Sequence, residues 1–170
     1  MIVASGASKS QFYRHFADKH ALVRGVIALV GERIILRETN MLGNVSTLAG
    51  LRRWRDALVQ ANALRHGMYG CALGALVNDV ADHDAAARQM LDDLFVAWRD
   101  LLNGVLRRLQ RAEVLDQSID TERLAIGLLA AVQDGYLLAQ TARDVAPMAT
   151  AIDVTLAHLE RLAAESRAAS

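Results

Sequence analysis

A single proline, Pro147, interrupts this 170-residue chain. Proline breaks a helix anywhere beyond its first turn, so the long proline-free stretch before it permits long uninterrupted helices. Alanine and leucine, both strong helix formers, dominate a chain that is 53% hydrophobic and only 5% aromatic. Runs of β-branched residues are short and scattered. The sequence therefore predicts an all-α protein.

Capping residues divide the chain into helices. Ser8 and Gln11 form an S-x-x-Q capping box that predicts a short helix over 9–16. Asp18 is the predicted cap of a long helix that reaches about Glu38. The remaining helices are predicted to begin after Ser46 or Thr47 and end near Leu64, to span 75–81, to begin after Asp84, to run from Asp120 to about Asp144, and to begin at Pro147.

Charge and cysteine content exclude several classes of protein. The formal net charge is zero, so any nucleic-acid binding requires a local basic patch. The one cysteine, Cys71, cannot form an intrachain disulfide and fits a reducing compartment. The first residues lack the pattern of a signal peptide, and the apolar stretches near 66–78 and 123–134 are shorter than the ~20 residues of a membrane span. We expect a cytoplasmic protein with no membrane partner.

The segment SKSQFYRHFADK has the character of a DNA-reading helix. Phe12 and Phe16 are four residues apart and would face inward together, leaving polar side chains outside. Gln, Arg and Lys are the side chains that make bidentate contacts with base edges. The alternative is a solvated polar helix.

A family resemblance supports the DNA-binding interpretation. SGASKSQFYRHFADKHAL resembles the turn, recognition helix and start of the connecting helix of the tetracycline-repressor (TetR) family of bacterial transcriptional regulators. The specific part runs from Ala7 to Leu22 and includes Tyr13, His15 and Lys19. GCALGALVNDVADHDAAAR and DGYLLAQTARDVAPM are similar to the effector-binding half of regulators of the LmrA/YxaF type. The resemblance covers nearly the whole chain.

The resemblance implies a homodimer that binds a pseudo-palindromic double-stranded DNA operator and responds to a small amphipathic or apolar effector. It places the following residues at bases or backbone: Ser8, Lys9, Ser10, Gln11, Tyr13, Arg14, His15 and Lys19, the last two at phosphates. It also implies a partial helix-turn-helix region with its connecting helix over 1–38 and an effector-binding and dimerisation domain over 39–170. No cofactor is implied.

The family places a full helix and most of a second one before Gly6, where this sequence has only MIVAS. We therefore expect an N-terminally truncated DNA-binding region. The main hypothesis is a ligand-responsive regulator, in most such proteins a repressor. The alternative is a dimeric small-molecule-binding module that has lost DNA binding with its first helices.

Two sets of residues are candidates for the ligand site and the dimer interface. Aromatic, sulfur-containing and amide side chains would line an effector cavity: Met68, Tyr69, Cys71, Trp98, Tyr136 and Gln140. Small residues at intervals of four, with a heptad-like stripe on the last helix, would form the interface: Gly127, Ala131, Gly135, Ala139, Ile152, Leu156 and Leu159. For both sets, ordinary packing within the chain is the alternative.

Catalytic patterns have little support. None of the five histidines forms an H-E-x-x-H or E-x-x-H motif, and the glycines at 67, 70 and 74 lack the Lys-Ser/Thr of a phosphate loop. His83 lies between two aspartates, but a helix cap explains Asp84 without a metal. We expect neither an enzyme nor a metal site, and a helical-bundle enzyme is the least favoured hypothesis.

Overall fold

The structure, a computed structural model, describes residues 18–64, 70–80 and 83–169, with only the backbone described at 78, 79 and 169. These residues form six α-helices and no strand, which confirms the all-α prediction. The helices are α1 (Lys19–Leu42), α2 (Leu48–Ala63), α3 (Ala72–Val80), α4 (Ala85–Arg111), α5 (Thr121–Ala142) and α6 (Ala146–Ala169).

Four of the helices begin at the caps that the sequence predicts. The side chains of Asp18, Thr47, Asp84 and Asp120 each accept a hydrogen bond from the backbone N–H three residues later. The last helix begins one residue before Pro147, which lies in the first turn where its missing N–H costs nothing. The predicted helix over 9–16 lies outside the described residues.

Two helix ends differ from the predictions. Helix α1 continues four residues beyond Glu38 to Leu42, whose side chain is fully buried and whose carbonyl accepts from Arg108 on α4 at 2.6 Å. Helix α3 begins at Ala72, three residues earlier than expected. The proposed domain boundary at residue 38 therefore falls inside α1, and the division into two domains stays a prediction.

The longest helices form the centre of the bundle. Helix α5 packs most extensively on α6, α1 packs along α4, and α4 also packs on α5. Trp54, Trp98 and leucines from α2, α4 and α5 are buried at the centre of this arrangement. Arg108 of α4 joins the turn after α1, donating to the carbonyls of Leu42 and Val45 at 2.6 and 2.7 Å.

Candidate ligand-binding cavity and family assignment

A cavity of about 360 Å³ lies among the first five helices. Helix α1 contributes one face, and α2, the start of α3, α4 and α5 contribute the others. Its lining residues are Val30, Arg33, Ile34, Arg37, Ala61, Asn62, Gly70, Cys71, Ala72, Trp98 and Tyr136. Ligand sites in proteins typically measure ~300–1,000 Å³, and this cavity combines apolar side chains with a nearly equal share of polar surface.

Two polar atoms in the lining are buried without partners. Trp98 is fully buried, and its Nε1 has no hydrogen-bond acceptor among the described residues. Asn62 is 3% exposed, and its Nδ2 donates to Met148 Sδ at 3.2 Å. Its Oδ1 has no donor within the described part of the chain. Buried polar groups are almost always hydrogen-bonded in native proteins, so an unpaired donor and an unpaired acceptor on two residues that line one cavity fit a site that a ligand completes.

Glu38 fixes the position of Arg37 at the cavity rim. The Glu38 side chain is fully buried; its Oε2 accepts from Trp54 Nε1 at 2.8 Å, and its Oε1 accepts from Arg37 Nε and Nη2 at 2.9 and 2.6 Å. Burial alone would lower the pKa of Arg37, but Glu38 and Tyr136 outweigh it and raise that pKa overall. Arg37 therefore stays cationic beside the cavity.

Three of the six residues predicted for the ligand site line the cavity, namely Cys71, Trp98 and Tyr136. Burial raises the pKa of the Cys71 thiol and of the Tyr136 hydroxyl, so both stay protonated near neutral pH. Gln140 borders the cavity, since a Cβ atom added at the lining residue Gly70 would lie 2.5 Å from Gln140 Oε1. Met68 and Tyr69 lie outside the described residues.

The sequence-based prediction missed the contribution of α1 and α2. Val30, Ile34 and Asn62 line the cavity together with two arginines, Arg33 and Arg37. A signal for Arg33 was present, because it occupies the fourth position of the apolar stripe that Leu22, Val26 and Leu29 begin. A charged residue in line with an apolar stripe marks a place where a helix face meets either solvent or a polar ligand.

The N-terminal end of α1 holds the one predicted DNA-contacting residue that the structure describes. Lys19 is the first residue of the helix and is exposed. Ser8, Lys9, Ser10, Gln11, Tyr13, Arg14 and His15 lie outside the described residues. One rigid helix therefore connects Lys19 with the cavity-lining residues Val30 to Arg37.

The comparisons with known proteins agree with this arrangement. A family model described as "Tetracyclin repressor-like, C-terminal domain" matches residues 47–155, which is more than half of the chain. The chain belongs to the TetR family. TetR-family proteins are transcriptional regulators, not enzymes.

A solved structure has the same fold. The regulatory protein TetR from Rhodobacter sphaeroides superposes with a TM-score of 0.83 at 19% sequence identity, covering 92% of this chain and 84% of that one. At this identity the match establishes a shared TetR-like fold. No curated protein sequence matches the chain.

Five of the seven residues predicted for the dimer interface are buried within the single chain. Ile152, Leu156 and Leu159 are at most 5% exposed, and Gly135 and Ala139 are also buried within the single chain. A Cβ atom at Gly135 would lie 3.0 Å from Met148 Cα, so the small-residue ridge brings α6 close to α5 within one protomer. These five side chains pack within one protomer, and their part in a dimer interface stays a prediction. Gly127, where an added Cβ would meet nothing within 4 Å, and the half-buried Ala131 face outward.

Other side chains of α5 and α6 form an exposed apolar surface. Four large hydrophobic residues on these two helices are more than half exposed: Ile126, Leu137, Leu138 and Val154. Beside them, Phe95, Leu129 and Ala130 line an almost wholly apolar groove between α4 and α5. By length and composition alone, α5 is also apolar enough to cross a membrane, although its buried side chains belong to the core of the bundle.

Proposed function

We propose that this TetR-family protein is a ligand-responsive transcriptional regulator, a repressor that acts in the cytoplasm as a homodimer on a pseudo-palindromic operator. The observation that carries the proposal is the position of α1. Its middle lines the cavity with Val30, Arg33, Ile34 and Arg37, and its first residue is Lys19, next to the segment that resembles a recognition helix.

Rigid transmission along α1 is the proposed mechanism. A helix rises 1.5 Å per residue, so Lys19 and Arg33 are separated by roughly 21 Å along the axis. Helix α1 packs on α4 at Gly31, where an added Cβ atom would overlap the Leu94 side chain. Because this close contact lies at the level of the cavity, a ligand that displaces α1 there would swing its far end. In a dimer, that motion changes the distance between the two recognition helices, which must match one DNA turn of ~34–36 Å.

The dimer would form through the exposed apolar surface of α5 and α6. Ile126, Leu137 and Val154 contribute apolar area that a single chain leaves in water. Exposed apolar clusters of this kind commonly mark protein–protein contacts. The proposed interface uses the exposed side chains of the same two helices that carry the predicted small-residue ridge.

A gel shift tests the DNA-binding part of the proposal. We expect the full chain to shift double-stranded DNA from upstream of its own coding sequence, with an affinity that falls as salt increases. Lys19→Gln should weaken binding at low salt and reduce the slope of log affinity against log salt by about 1, since one phosphate contact is lost. Arg167→Gln, in the last turn of α6, is the control of equal charge change.

Absence of a shift, or a shift insensitive to salt, would contradict the regulator proposal for this chain. It would favour the alternative of a dimeric ligand-binding module without DNA affinity. An equal effect of the two substitutions would show that Lys19 acts only through net charge.

A further inference from the structure

The ligand cavity carries positive charge that the protein does not neutralise. Arg33 and Arg37 lie one helical turn apart on α1, and no acidic residue is among the described residues that line the cavity. Arg37 is paired with Glu38. Arg33 forms no ion pair or hydrogen bond with any described residue, so its guanidinium is free to bind an anion.

Two residues that line the cavity each carry a buried polar atom without a hydrogen-bond partner among the described residues. Trp98 Nε1 lacks an acceptor and Asn62 Oδ1 lacks a donor among the described residues, and both side chains are more than nine-tenths buried. Both residues line the cavity, so a ligand that reaches these atoms with an oxygen acceptor and a hydroxyl donor would satisfy both. Val30, Ile34 and the Trp98 ring form the apolar part of the wall, beside the Cys71 thiol and the Tyr136 hydroxyl.

We propose that the cavity binds a small hydroxylated organic acid, whose carboxylate pairs with Arg33 and whose apolar body lies against Val30, Ile34 and Trp98. The planar guanidinium fork can donate two parallel hydrogen bonds to the two oxygens of a carboxylate. The volume of about 360 Å³ limits the body to one or two rings or a chain of similar bulk. This inference rests on the proposed function, because it names the chemical class of the effector.

Calorimetric titration of the full chain with matched probes tests the acid preference. 2-Naphthoate and 2-naphthamide have nearly the same size and shape and differ in charge, and 3-hydroxy-2-naphthoate adds the hydroxyl. We expect naphthoate to bind at least about tenfold more tightly than the amide, and the hydroxy acid to bind more tightly still. Tryptophan fluorescence should change on binding, and Trp98→Phe should reduce that change.

Two substitutions that each remove one positive charge test whether the preference for the acid arises in the cavity. Arg33→Gln should lower naphthoate affinity about tenfold and leave naphthamide affinity unchanged. Arg53→Gln, on the exposed side of α2 and away from the cavity, should leave both affinities as in the wild-type protein. Both arginines are exposed, so neither change should disturb folding.

Each other result overturns the inference. Equal affinities for naphthoate and naphthamide would remove the acid preference, although the cavity would remain a ligand site. An equal loss of naphthoate affinity in Arg33→Gln and Arg53→Gln would show a general effect of net charge and no specific site at Arg33. Binding of none of the probes would exclude this class of ligand. The gel shift uses no ligand, so the DNA-binding part of the proposed function succeeds or fails independently.

Discussion

Asp84 shows how one side chain can join two distant parts of the chain. Its Oδ1 accepts from Ala87 N at 3.0 Å and caps α4, while its Oδ2 accepts from Arg24 Nη1 at 2.8 Å and contacts His20 Nδ1 at 3.2 Å. The pKa of Asp84 is lowered, first by the Ala87 N–H; burial opposes the shift, and Arg24 and His20 add to it. The carboxylate thus holds the N-terminal end of α1, beside Lys19, to the start of α4.

Comparing Asp84→Asn with Asp84→Ala separates the contribution of the helix cap to stability from that of the ion pairs. Asparagine keeps a capping oxygen and loses the charge, whereas alanine loses both, so we expect stability in the order wild type, Asn, Ala at pH 7. Because the folded pKa lies below the ordinary value of ~3.9, the stabilisation by the charge is complete above that value and is lost as the pH falls through the folded pKa. Urea unfolding between pH 3 and 7 should therefore show the wild-type advantage over Asn shrinking below about pH 4. Parallel pH profiles for the two proteins would contradict this role.

At the level of helices, the sequence predicted the local contacts at helix ends but not the contacts between helices. The caps Asp18, Thr47 and Asp120 are confirmed because a cap is a contact between residues three apart. The extension of α1 to Leu42 was not predictable, since Leu42 is buried in the core and its carbonyl is bound by Arg108 of another helix. For the same reason, residue type pointed to Trp98 and Tyr136, but nothing in the local pattern indicated that Asn62 faces the same cavity.

The two glycines on α5 have opposite roles, which the structure distinguishes and the four-residue spacing does not. Gly135→Leu would force a side chain against the Met148 backbone and separate α5 from α6. We expect a loss of at least about 1–3 kcal/mol in the free energy of unfolding, the usual cost of overpacking. Gly127→Ala meets open space and should gain up to ~1 kcal/mol from helix propensity. Chemical denaturation measures both changes in the free energy of unfolding. A Gly135→Leu protein with unchanged stability but half the wild-type oligomer mass would instead support the small-residue ridge as the dimer interface.

For the whole molecule, the described helices separate three surfaces with different chemistry. The cavity is lined by α1 to α5 and is cationic at its rim, the N-terminal end of α1 is polar, and the outer faces of α5 and α6 are apolar. Helix α4 touches all three, since it contacts α1, lines the cavity with Trp98 and borders the apolar groove with Phe95. A ligand that moves α1 against α4 would therefore shift both the N-terminal end of α1 and the part of α4 next to the proposed dimer contact.

Light scattering during size-exclusion chromatography tests the assembly. We expect twice the chain mass of 18.5 kDa for the wild-type protein. Leu137→Glu and Val154→Glu place charges at positions 61% and 67% exposed in one chain, so folding should be unaffected. If these residues are buried between copies, the unpaired carboxylates should weaken the dimer at least about 100-fold, since burying an isolated charge costs several kcal/mol. Leu36→Glu changes another leucine that is 60% exposed, on α1 and outside the proposed interface, and this variant should stay dimeric. A dimer that persists in both α5 and α6 variants, or that dissociates equally in Leu36→Glu, would place the interface elsewhere on the molecule.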